Sequence, residues 1–137
     1  MSASALISSG VILLTVVGIA YGGTFLLRVV NGAFPANELQ RSYFRAGHAH
    51  AGVLVILGLV VRLLLDQPTV PDWGRAMGDF VLLAAILIPA GFFLSVVGRD
   101  PQAPNRLKVL IYLGAASLVI GLVAAGIALI TGGLAIG

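Results

Sequence analysis

Four long apolar runs, separated by three short polar breaks, organise this chain. The first runs from Ala5 to Val30 with small polar residues inside it and Arg28 near its close. The second runs from Ala46 to Leu65 with Arg62 near its end, and the third from Met77 to Val97 around Pro89. The fourth runs from Leu107 to Ile136 and has no charge after Lys108. Each reaches or approaches the roughly 20 residues that cross a bilayer core. Backbone groups in lipid must pair within their own segment, so the runs are expected to be helices. The alternating pattern of barrel strands is absent. The breaks hold Gly32 and Pro35, then Pro68 and Pro71, then Pro101 and Pro104, residues that interrupt helices. Loops this short make successive helices antiparallel neighbours. The pattern predicts one all-α integral membrane domain over residues 1–137. Its architecture is an antiparallel four-transmembrane-helix bundle with helices over 5–30, 46–65, 77–97 and 107–136. Pro89 removes a backbone donor and should bend the third helix.

Composition supports the lipid reading. The chain is 59% hydrophobic and 9% charged, where soluble domains carry about 25% charge. A soluble fold of this size buries only about two-thirds of its surface, too little to hide so many apolar side chains. The absence of cysteine excludes disulfides, iron–sulfur clusters and thiolate metal sites. The first twenty residues lack a basic n-region, and their apolar run continues to Val30, so they read as a retained helix. The net charge of +3 comes from basic residues in turns, not from a patch, which excludes a nucleic-acid partner.

Those basic residues are unevenly divided. Arg28, Arg41, Arg45, Arg99, Arg106 and Lys108 fall at one end of the bundle, Arg62 and Arg75 at the other. Basic residues stay on the cytoplasmic side. The expected topology in a bacterial inner or plasma membrane therefore puts both termini outside and loops 31–45 and 98–106 inside.

Helices in lipid associate through small residues. Gly114, Ser117, Gly121, Ala125 and Ala128 recur at three- and four-residue steps, which is one helical face. Thr15, Gly18 and Gly22 form a second stripe, and Gly47, Ala51 and Gly58 a third. These are expected packing seams, within the bundle and between copies or other membrane subunits. A shift of 67 residues lays Phe25, Leu27, Val29 and Val30 on Phe92, Leu94, Val96 and Val97, and Gly47 on Gly114. The chain can thus be read as a duplicated hairpin in which Ala115 and Ser117 replace the two histidines.

Those histidines, His48 and His50, carry the candidate chemistry. Two residues apart on a regular helix, they face opposite ways, and the glycine stripe lies nearer His48. The readings open to them are amphipathic residues at the interface, haem axial ligands, or a proton relay or pH sensor. A metal site would lack further ligands. Arg28, Glu38, Tyr43, Arg45, Ser95 and Tyr112 could surround His48, with Glu38 orienting the imidazole. At the other end, Arg62 and Asp79 are expected to pair, which lowers the cost of charge near membrane depth. The chain shows no nucleophile with a base, no phosphate-binding glycine loop and no paired carboxylates.

The segment His48-Ala49-His50-Ala51-Gly52 and the apolar run after it resemble the first haem-ligating helix of haem-copper oxidase subunit I relatives and of NnrS-like membrane proteins. The resemblance covers under ten residues. It implies a b-type haem on His48, and on His50 if both serve. The leading reading from the residues is a non-enzymatic accessory or structural subunit acting by helix packing, in a homo-oligomer or a larger complex. A small haem redox protein and an oligomeric channel or transporter around Arg62, Asp79 and His48 are the alternatives.

Overall fold

A computed structural model describes residues 2–137. The chain is all-helical: α1 (Ala3–Val30), α2 (Glu38–Leu65), α3 (Asp72–Leu94) and α4 (Val109–Leu134), the last preceded by a 3-10 turn over Arg106–Lys108. All four helices are long and apolar enough to cross a membrane. At about 1.5 Å per residue, α1 and α2, each 28 residues, extend about 42 Å, beyond the roughly 30 Å hydrocarbon core.

α1 and α2 begin at side-chain caps, not where their apolar runs begin. α2 starts at Glu38 instead of Ala46, because Asn37 and Gln40 form a capping box that satisfies two otherwise orphaned N–H groups. Over this added stretch Gln40 and Phe44 are buried while Arg41 and Arg45 are exposed. α3 likewise starts at Asp72 instead of Met77, directly after Pro71, and ends at Leu94. α1 is capped by Ser2, whose Oγ accepts from the Ala5 N–H at 3.2 Å. It ends before Gly32, whose φ of +74° is the left-handed conformation that glycine adopts without strain.

The arrangement is open. α3 lies between α2 and α4, while α1 packs on α2 and touches neither α3 nor α4 along its backbone. Only 11% of the most apolar stretch of α1 is buried, against 39% for α3. α3 is therefore the centre of the fold and α1 its least enclosed element. Apolar clusters fill the α2–α3–α4 contact, one around Val61, Leu65, Val81 and Ala128 and another around Leu54, Ala84 and Ile88. A third cluster, Val29, Phe44 and Val96, ties the end of α1 to the start of α2 and the end of α3.

Glycine sets the spacing between helices. A Cβ on Gly91 would stand 2.7 Å from the Ile111 backbone nitrogen, and one on Gly121 would stand 2.9 Å from that of Val81. Gly114 meets Ile88 in the same way, and Ser117 Oγ donates to the Phe80 carbonyl at 2.8 Å. Ala125 is buried in the same seam. The stripe on α2 divides: Gly47 faces Phe93 and Gly58 faces Leu82, both of α3, while Ala51 lines a cleft beside α1. The stripe on α1 divides as well. Gly22 faces His48, and Gly18 faces open space.

The loops at one end are stitched together by two amides. Gln40 Nε2 donates to the carbonyls of Val96 and Gly98, both at 3.0 Å. Asn37 Nδ2 donates to Asp100 Oδ1 at 2.9 Å and to the Pro101 carbonyl at 2.8 Å. The start of α2 is thereby fixed to the α3–α4 loop.

Candidate functional site

Both histidines lie on regular α2 helix, so the two rings diverge. His50 is exposed. Its Nδ1 donates to the Ala46 carbonyl at 2.7 Å, and its ring lies 5.1 Å from that of Phe92. His48 is half-buried and turned toward α1. A Cβ on Gly22 would stand 3.8 Å from His48 Nδ1, and one on Gly23 3.6 Å from Nε2. Two glycines without side chains thus form the surface on which the imidazole rests. Beside it opens a cleft of about 580 Å³, walled by Thr15, Gly18 and Phe25 of α1, Ala51 of α2 and Phe93 of α3.

The polar neighbours expected around His48 are elsewhere. Glu38 stands ten residues earlier on the same helix, about 15 Å along its axis, so it cannot orient the imidazole. Glu38 and Arg45 line a separate groove at the end of α1. Tyr43 packs edge-on against Phe92 with ring centroids 5.5 Å apart. Tyr112 is 68% exposed on α4, which α1 does not touch. Arg28 is exposed in the last turn of α1, and buried Ser95 donates to the Phe92 carbonyl. Expecting α2 to begin at Ala46 drew these residues too close together.

This geometry does not fit a haem within one chain. Both nitrogens of His48 lie toward α1, within 4 Å of where a side chain would begin on Gly22 or Gly23, so a macrocycle on either nitrogen would have to displace α1. His50, on another face, offers no opposing ligand to the same site. Among the described residues no group of three or more His, Cys, Asp or Glu side chains could hold a metal ion.

Arg62 joins three helices. Its Nε donates to Ser8 Oγ of α1 and its Nη1 to Asp79 Oδ1 of α3, both at 2.5 Å. The side chains are 24% and 55% exposed. A pair this exposed contributes about 0–1 kcal/mol in water, so its main effect is geometric, tethering α1 to α2 and α3. Nearby, Arg75 Nη2 donates to Asp72 at 2.6 Å and Nη1 to the Leu65 and Gln67 carbonyls. Ser2 donates to Asp66 from its backbone N–H and from its hydroxyl, both at 3.0 Å. The backbone hydrogen bond, more than any other contact, holds the Asp66 carboxyl below the usual carboxylate range.

Three threonine hydroxyls of the helices are committed to backbone. Thr15 donates to the Ile12 carbonyl, Thr24 to Tyr21 and Thr131 to Ile127. Among the described residues only Ser9 Oγ is buried without a partner.

Several residues central to this arrangement were not singled out from the sequence: Ser8, Gln40, Gly74, Gly78 and Gly91. Gly74 and Gly78 are four apart, the spacing of a packing face, and Asn37 with Gln40 has the spacing of a capping box. No family model, curated protein or solved structure matches the chain.

Proposed function

We propose that this chain is a small multi-pass membrane protein, antiparallel in its four helices, that serves as a non-enzymatic accessory or structural subunit. It receives a helix of a second copy or of another membrane subunit in the cleft beside His48. The observation that carries this reading is the open side of α1, where Gly18 meets nothing within 4 Å on a wall of small residues. Small residues allow close helix approach in lipid. The ring nitrogens of His48 make no hydrogen bond among the described residues.

Because the chain has no cysteine, a single introduced thiol reports its neighbours cleanly. Oxidation of Gly18→Cys in native membranes should give a cross-linked species, and Val17→Cys, 66% exposed and turned away by one residue's rotation, should not. A product at twice the 14.1 kDa chain mass identifies a second copy. For another subunit, a maleimide–benzophenone linker on the introduced thiol replaces oxidation, since its photoreactive end inserts into C–H bonds of any neighbour. Equal cross-linking at both positions, or none at position 18 with either chemistry, would remove the basis for the proposal.

The orientation proposed from the basic residues puts both termini outside and residues 31–45 and 98–106 in the cytoplasm. A cysteine at Gly137 should react with an impermeant maleimide on intact cells, and one at Ala103 should react only after lysis. The reverse pattern inverts the topology. A duplicated hairpin accounts for the matched residues at a 67-residue shift but not for the contacts. Gly114 meets Ile88 inside its own hairpin, whereas Gly47 meets Phe93 of the other. The proposed function does not require it.

A further inference from the structure

The two ends of the protein treat their arginines differently. At one end, Arg62 and Arg75 are bonded to Asp79 and Asp72 and to backbone carbonyls or a serine. At the other, the side chains of Arg41 and Arg45 take part in no ion pair or hydrogen bond among the described residues. They are four residues apart in the first turns of α2, so their side chains share one face. Like charges so placed repel one another unless an anion lies between them.

Arg41 and Arg45 line a groove of about 360 Å³ with Ser42, facing an apolar wall of Leu26, Val29 and Val30 from the last turns of α1. Glu38 also borders this groove and is bonded to neither arginine. The groove sits where α2 changes from charged residues to its apolar run at Ala46. In a bilayer that is the level of the lipid phosphates. Guanidinium groups bind phosphate oxygens through paired N–H donors, and basic pockets between membrane helices bind anionic headgroups.

We infer that Arg41, Arg45 and Ser42 form a binding site for the phosphate of an anionic phospholipid, with its glycerol and upper acyl carbons against Leu26 and Val30. This goes beyond the helix-packing function and does not depend on it. The donors fit a phosphate from two sources, a lipid headgroup or the free anion. The apolar wall, within a chain whose four helices can span a membrane, favours the lipid.

The test is native mass spectrometry of the full chain in detergent, with phosphatidylglycerol and phosphatidylcholine of matched acyl chains in competition. The unaltered protein should retain phosphatidylglycerol on the order of tenfold more than phosphatidylcholine, given two basic residues at the headgroup. Arg41→Gln with Arg45→Gln should abolish the preference. Arg99→Gln with Arg106→Gln, an equal change of charge at the same end, should keep it. Equal loss in both pairs would mean general charge attraction and would overturn the site. So would binding of inorganic phosphate without preference between the two lipids, which would assign the groove to the free anion. If the glutamine pair is not recovered folded, Arg41→Gln and Arg45→Gln are read singly against Arg99→Gln, and each should lower the preference where Arg99→Gln keeps it. These measurements use one chain and two lipids, so their outcome is independent of whether Gly18 faces a partner helix.

Discussion

Replacing Gly91 with alanine will push α3 and α4 apart and destabilise the protein by about 1–3 kcal/mol, the usual cost of overpacking. Two effects oppose each other here. Within a helix, alanine is better than glycine by about 1 kcal/mol, so on propensity alone the change would help. The new Cβ, however, would stand 2.7 Å from the Ile111 nitrogen and 3.2 Å from the Leu110 carbonyl carbon. Both are backbone atoms, which cannot rotate away as a side-chain tip can. Relief requires moving one helix against the other, through a seam that continues at Gly114 and Gly121. The control is Gly126→Ala, on the same pair of helices but with nothing within 4 Å of its Cβ. That variant should be neutral or slightly stabilised. Unfolding of both in mixed micelles measures the difference, and equal midpoints would show that the α3–α4 contact is looser than described here.

The contrast between Gly91 and Gly126 also shows where sequence reading reaches its limit. Recurrence at three- and four-residue steps marked Gly114, Ser117 and Gly121 as one face, and that face does pack on α3. The spans were legible because hydropathy alone decides whether a segment suits lipid. The helix ends were less legible, because caps and amphipathic first turns decide them. Starting the third helix at Met77 left Gly74 in a loop, although it packs against Ala128. Starting the second at Ala46 compressed Glu38 and His48 into one imagined cluster. The choice of partner was not legible at all. Nothing local tells Gly47 to face α3 while His48, its neighbour in sequence, faces α1. That follows from the placement of whole helices, and here α1 sits to one side of α2 instead of closing a ring. The pairing of Arg62 with Asp79 needed only that the end of α2 and the start of α3 lie together. The addition of Ser8 needed the position of α1 as well.

Gln40→Leu will release the start of α2 from the α3–α4 loop and cost about 2 kcal/mol or more. Gln40 is 5% exposed, and leucine nearly matches its volume, so little of the loss comes from a cavity. It comes from hydrogen bonds. Without the amide, the Val96 and Gly98 carbonyls lose the Nε2 donor, and the Asn37 N–H loses the Oε1 acceptor at 3.1 Å. A buried polar group left unpaired costs about 1–3 kcal/mol. Water at the loop end can recover part of that for Gly98, which is exposed, but less for Val96, which is fully buried. Gln40→Glu distinguishes hydrogen bonding from shape. Glutamate keeps the size and the acceptor for Asn37, yet its carboxylate would face two carbonyl oxygens with no proton to offer them. It should therefore destabilise more than leucine at neutral pH and recover as acid protonates the carboxyl. The thermal midpoint of each variant against pH is the measurement. If Gln40→Glu matches the unaltered protein at neutral pH, the amide is not what joins these two loops.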